Sequence, residues 1–431
     1  MNLTLFQLND VHGYLNLHQE VFYGPTGPEY RRCGGYARIA SLLSALREAY
    51  PESLLFDGGD TFHGTRPVVA TQGDILPDIL NELGIAAMTA HWDFAYGPAH
   101  LKTLTDRLNY PLLAANVFHL DTGALAYAPT QLFEVAGLRV GVVGLACPIV
   151  DKTMSAHFST GLRFTDGAAE LPGHVQRLRT EERADIIILL SHCGFPQDVA
   201  LLEGCPSIDV CLSSHTHNRL YTPFVAGGAL VIQSGSHGSF LGRLTLTIEE
   251  GQVTGHNHEL HEISEDIVPD AALQARIDAA LGPFVNLREV VGVTATALHR
   301  GTSVECPADD FLLASLRAVV PADLYFSNGW RYGAPIVPGP VQLQSRKSQG
   351  QPLASRVCAR PAPGPGRNLH GRFHHLAGRA APVWPQPPEN RPARRGGHAR
   401  VSEAAPPSGG APARHVYRRI SRFAPVSSLR T

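Results

Sequence analysis

The stretch Asp185-Ile186-Ile187-Ile188-Leu189-Leu190-Ser191-His192 decides the fold class. Five consecutive apolar residues leave no polar face, so the run reads as a strand covered on both sides, and it stops at a polar Ser-His pair. Similar runs are expected as strands at Leu3–Leu8, Ser53–Phe56, Ile85–Thr89, Pro111–Ala114, Leu138–Leu145, Ile208–Leu212 and Ala229–Gln233. Between them, Ile39, Leu42, Leu43 and Leu46 share one helical face, and Ile75, Ile79, Leu80 and Leu83 share another. Strands alternating with amphipathic helices predict a layered α/β domain. Phe240–Ile263 reads as a hairpin about Glu250-Gly251, so the sheets are expected to be mixed.

Beyond this core the chain changes character. Residues 1–265 form the expected catalytic domain, 266–289 a connecting helix, and 290–341 the opening of a second α/β domain. Residues 342–431 hold 15 Arg and one Lys against Glu389 and Glu403, while the first 341 carry a net charge of -16. That tail has 13 Pro and no sustained periodicity, and is expected to be disordered. The abrupt change inside a domain also fits translation out of frame. The whole chain is 431 residues and 44% hydrophobic, which excludes a mostly disordered protein. Seven scattered cysteines without a CxxC pair suggest neither a disulfide framework nor a zinc ribbon. With no export signal read at Met1 and no long apolar run, the expectation is a cytoplasmic protein with no membrane and no specific nucleic-acid partner.

Polar clusters follow the expected strands: Asp10-Val11-His12, Gly58-Gly59-Asp60, His91-Trp92-Asp93, Ser191-His192 and His215-Thr216-His217. Carboxyl ends of strands form the ligand-binding edge of α/β sheets. One such histidine means little; five clusters on one edge are hard to explain as packing, because buried ionisable groups need partners. Asp10, His12, Asp60, His91, His192, His215 and His217 supply seven oxygen and nitrogen donors, enough for two divalent transition-metal ions. The mixture fits Mn, Zn, Fe or Co better than Ca or Mg. Asp60 is placed to bridge the pair, and two cations sharing a water make a hydrolase.

The order DxH, GGD, a histidine segment, SH and HxH resembles the calcineurin-like metallophosphoesterases, in particular the 5′-nucleotidase family. Gly34-Gly35-Tyr36-Ala37-Arg38 and Phe94-Ala95-Tyr96-Gly97 add to the likeness, which covers residues 1 to about 341. The resemblance implies a four-layer α/β/β/α metallophosphoesterase sandwich followed by an incomplete 5′-nucleotidase-type C-terminal domain. It implies one metal on Asp10, His12, Asp60 and His217, and the other on Asp60, His91, His192 and His215. The implied substrate is a small nucleotide or other phosphoester.

The third motif departs from that family. Its usual Asn is His91, its catalytic histidine is Trp92, and the Asp orienting that histidine is Ala95. This version resembles the Sox-pathway (SoxB-type) thiosulfohydrolase, which would imply cleavage of a sulfur–sulfur linkage on a carrier protein. A metal-binding protein without turnover is the third alternative. Asp60, His63 and Asp93 are the expected catalytic groups, and Asn116, His237 and Arg331 the expected substrate contacts.

Overall fold

The computed structural model describes residues 1–300, 305–326 and 333–343. Two sheets form its centre. The first runs in the order Gln252–Glu262, Phe240–Glu249, Asn2–Leu8, Ser53–Asp57, Ile85–Met88; the last three strands are parallel and the first two form the expected hairpin. The second runs in the order Phe224–Ala226, Ala229–Ile232, Val210–Leu212, Ile186–Ser191, Leu138–Leu145, Thr130–Val135, parallel in its middle and antiparallel at both edges.

Ile186–Leu190 behaves as its unbroken apolarity requires. Ile186, Ile188 and Leu190 enter a core shared with Leu3, Leu5 and Phe56 of the other sheet, while Ile187 and Leu189 pack with Val175, Leu178 and Leu202 of two helices, Leu171–Thr180 and Phe195–Gly204. On the far side, Phe6, Leu8 and Leu55 meet Ile39 and Leu43 of the helix Tyr36–Ala49 and Ile277 of the helix Ala271–Leu281. The layers are therefore helix, sheet, sheet, helix. Burying both faces of both sheets is the main source of stability, at about 25 cal/mol per Å² of apolar surface.

Three elements differ from expectation. Pro111–Ala114 makes only isolated bridges, Met88 to Leu112 and Leu113 to Ala128, because proline supplies no ladder N–H. Leu324–Phe326, whose apolar run reads as a strand of the second α/β domain, forms none. A two-stranded ribbon, His18–Gly24 against Gly27–Cys33, was not expected, since its many polar and charged residues hide the alternation.

In the later segment, Val290–Thr294 pairs antiparallel with Gly339–Gln342, and the helix Pro307–Val319 buries none of its residues. Leu343 ends the described chain, so the expected tail over 342–431 lies almost wholly outside the described residues. Among the described residues no helix is long and apolar enough to cross a membrane.

Candidate dinuclear metal centre

The five polar clusters meet at one edge of the two sheets. Asp10, His12, Asp60, His215 and His217 all have φ between 51° and 72°, the left-handed region that Asp and His enter more readily than most residues. Such conformations persist where the surroundings enforce them. Here the loops interlock: Asp10 N–H donates to Gly59 O at 2.9 Å, and His12 N–H to Asp60 O at 2.8 Å. A side chain on Gly58 would put its Cβ 2.0 Å from Ser214 Oγ, and one on Gly59, at φ 88°, 2.7 Å from Thr89 O. The Gly-Gly-Asp spacing is thus a steric requirement.

Two sets of donors result. Asp60, His91, His192 and His215 each offer an atom within 4.8 Å of the others, and so do Asp10, His12, Asp60 and His217, with Asp60 common to both. Asp60 lies 3.2 Å from His91 Nδ1, 3.3 Å from His192 Nε2 and 3.5 Å from His12 Nε2. Asp10 Oδ1 lies 3.1 Å from His217 Nε2. Outer contacts aim the rings: His192 Nδ1 donates to Gly58 O at 2.5 Å and His12 Nδ1 to His63 O at 3.2 Å, which turns each Nε2 inward. This is the usual support for ligating imidazoles. Asp198 bridges Ser191 Oγ and Ser213 Oγ at 2.6 and 2.5 Å, tying together the strand ends that carry His192 and His215.

The electrostatics call for positive charge. Burial opposes ionisation of Asp10, but His217 and His192 hold its carboxyl below the usual range; Asp60 is likewise held well below by His91, His192 and His12. Burial pushes His12 down to about 4 and His215 to about 3. At His192 burial is outweighed by the Asp60 and Asp10 carboxylates, which raise it to about 10. Asp10 Oδ1, His91 Nε2 and His192 Nε2 are buried without a hydrogen bond. Unbonded buried donors grouped around two carboxylates fit a pair of divalent cations.

No family model matches the chain. The 5′-nucleotidase of Bos taurus is 28% identical over 305 residues, covering 64% of this chain and 52% of the relative. The chain spans about half the length of the curated relatives it matches. The chain is a relative of the 5′-nucleotidases. Two solved structures from Thermus thermophilus share its fold. A sulfate thiohydrolase SoxB matches at TM-score 0.76 and 22% identity, over 80% of this chain and 73% of the other. A 5′-nucleotidase precursor matches at TM-score 0.71 and 23% identity, over 81% and 73%.

Within this nucleotidase-type fold the other expected residues divide. Asp93 is not placed as a catalytic group: its Oδ1 accepts from Thr61 and Phe62 N–H and its Oδ2 from Asp60 and His91 N–H, at 2.8–3.0 Å. With both oxygens saturated and no exposure, it shapes the metal loops. Asn116 is likewise not a substrate contact. Its amide donates to Ala146 O and Thr165 O and accepts from Ala146 N–H, so a fully buried side chain is spent on backbone.

His63 stacks on Trp92, ring centroids 4.9 Å apart and 21° from parallel, and burial pushes it down to about 4. The backbone N–H of Trp92 donates to Asp60 Oδ1 at 2.7 Å, and its indole lies 5.9 Å from the ring of His91. His237 lies next to the centre, its ring 5.8 Å from that of His217, and its N–H donates to Asp10 O at 2.7 Å. Arg331 lies outside the described residues. Sequence reasoning missed His18 and Glu20, two apart on a strand and beside His237; their i, i+2 spacing was the available signal.

Proposed function

We propose that this chain is a dinuclear metal hydrolase acting on phosphoesters, with nucleotides as the substrate class and manganese as the preferred metal. The observation that carries the reading is Asp60 shared between two four-residue donor sets, each drawn together within 4.8 Å. Two bound cations would supply Lewis acidity toward the ester oxygens and lower the pKa of a water held between them. The protein's part is to keep Asp60 and Asp10 ionised and to present neutral His12 and His215 nitrogens as lone pairs. Neutral His63, stacked against Trp92, lines the same edge as a hydrogen-bonding group. His237 and Arg331 remain the side chains proposed to meet substrate.

A specific observation favours a second reading. Trp92 stands beside Asp60 where an exchangeable acid would assist an alkoxide leaving group, and an indole does not exchange a proton near neutral pH. A thiolate leaves with less acid assistance, so cleavage of a sulfur–sulfur linkage on a carrier protein suits that substitution.

Metal analysis with parallel assays on nucleoside monophosphates and an S-sulfonated thiol tests both readings. Manganese-dependent phosphate release supports the first, and sulfate release without phosphatase activity supports the second. Bound metal without turnover on either substrate overturns both.

A further inference from the structure

A second group of ligating side chains lies beside the metal centre, and of its members only His237 figures in the chemistry above. His18 and Glu20 leave the same face of the strand His18–Gly24, and His237 and Ser239 reach them from the turn following Ala229–Ile232. Glu20 and His237 are 3% and 8% exposed. One nitrogen or oxygen from each of His18, Glu20 and His237 lies within 4.8 Å of the others.

Glu20 divides its two oxygens between different tasks. Oε1 accepts from Arg219 and from Val21 N–H, both at 2.9 Å. Oε2 faces Ser239 Oγ at 2.9 Å, His237 Nδ1 at 3.2 Å and His18 Nε2 at 4.0 Å. Ser239 Oγ is also 3.1 Å from His18 Nε2.

Two of these atoms present lone pairs to the centre of the group. His18 Nδ1 faces Asn16 O at 3.2 Å, a carbonyl that only accepts, so the proton of a neutral imidazole sits on Nδ1. Burial pushes His18 down to about 4, so Nε2 presents a lone pair. Burial works against ionisation of Glu20, but His237 and Arg219 hold its carboxyl down at about 2, so Oε2 is a second acceptor. Ser239 Oγ–H and His237 Nδ1–H are the protons that face these acceptors, at 2.9–3.2 Å. A cation accepts from both lone pairs at once, and an Nδ1–H bound to a backbone carbonyl is the posture of a ligating imidazole. Arg219 does not obstruct this, since its guanidinium occupies the opposite oxygen and lies over Phe240 at 4.7 Å.

We propose that His18 Nε2, Glu20 Oε2 and His237 Nδ1, with the Ser239 hydroxyl as fourth donor, form a third divalent-cation site beside the dinuclear centre. Two imidazoles, a carboxylate and a hydroxyl suit zinc or cobalt rather than magnesium or calcium. The ion ties the ribbon His18–Cys33 to the turn bearing His237, whose ring is 6.2 Å from that of His12. Its role is to fix the rim of the neighbouring centre.

The test uses the full chain, stripped with chelator, reloaded with zinc alone, desalted, and counted for metal by mass spectrometry. Three zinc ions per wild-type chain and two per chain of His18→Gln support the site. A wild-type count that His18→Gln leaves unchanged overturns it, whatever the occupancy at Asp60. Anomalous diffraction from wild-type crystals soaked in cobalt gives a check that needs no variant. A peak between His18 and Glu20 supports the site, and absence of a peak there overturns it, with or without peaks at Asp60.

Discussion

The backbone N–H of Asp60 donates to Asp93 Oδ2 at 3.0 Å, and the same oxygen accepts from His91 N–H at 3.0 Å. One buried carboxylate therefore holds two successive metal loops in register, and its other oxygen binds Thr61 and Phe62 N–H. Replacing Asp93 with Asn turns one acceptor into a donor facing backbone donors. We expect Asp93→Asn to weaken metal binding about 10–100-fold, the usual cost of losing an outer support. The metal-free protein should also lose about 2 kcal/mol in urea unfolding, because part of a buried acceptor becomes a donor and leaves backbone N–H groups unpaired. Unchanged metal affinity would return Asp93 to the expected catalytic groups.

Metal loading should release a proton. Without metal, His192 is raised to about 10 by Asp60 and Asp10, against burial, so it is protonated at neutral pH. His12, at about 4, and His215, at about 3, are already neutral there. A cation binding His192 Nε2 must displace that proton. Calorimetric titration with manganese at pH 7.5, in buffers of different ionisation enthalpy, should report at least one proton released per chain. His192→Asn should lower the release by about one proton. Binding with no dependence on buffer would show that His192 is not protonated in the metal-free chain.

The metal edge was legible because its signal is simple: an apolar strand that stops abruptly at a polar pair. Leu190-Ser191-His192 and Leu212-Ser213-Ser214-His215 both read this way, and both strand ends lie where expected. What those polar residues bind was less legible. Asp93 and Asn116 have the short polar side chains that bond a ligand or backbone equally well, and only the completed fold shows four N–H groups converging on Asp93. The ribbon His18–Cys33 escaped notice because its polar and charged residues hide the alternation, and the Ser239 hydroxyl that meets His18 and Glu20 lies more than two hundred residues away.

Asp198 should leave a mark on the pH dependence of stability. Burial pushes its carboxyl up to about 7, against the hydrogen bonds from Ser191 and Ser213. The unfolded chain loses that proton near pH 4, whereas the folded chain keeps it until about 7. Over that window the folded state binds the extra proton, so this group's stabilisation is complete below pH 4 and is lost as pH rises toward 7. Asp198→Asn removes the dependence. The stability of the metal-free variant should fall less steeply across the window than that of wild type, by up to about 1.4 kcal/mol per pH unit. Parallel urea titrations at pH 5, 6 and 7 measure the difference, and identical slopes would place the titration elsewhere. Because Asp198 ties the strand ends carrying His192 and His215, the same variant should also bind metal more weakly.

Trp92 decides between the two proposed chemistries. Its ring packs against His63, Phe158 and His91, with centroids 4.9, 5.7 and 5.9 Å away, so it forms an aromatic wall beside Asp60. Ala95 is nearly buried, and its carbonyl accepts from His157 Nε2 at 3.1 Å. Changing Trp92→His and Ala95→Asp together would give the wall a proton donor with a carboxylate to orient it, a pairing worth about 10²–10⁴-fold in assisted proton transfer. If phosphoester cleavage is limited by the missing acid, the double variant should release phosphate from a nucleoside monophosphate at least tenfold faster than wild type. Trp92→His alone should gain less, because the imidazole lacks its orienting partner. An unchanged rate, with metal content intact, would mean that leaving-group protonation does not limit this site. That outcome would favour a leaving group needing no acid, and with it the sulfur reading.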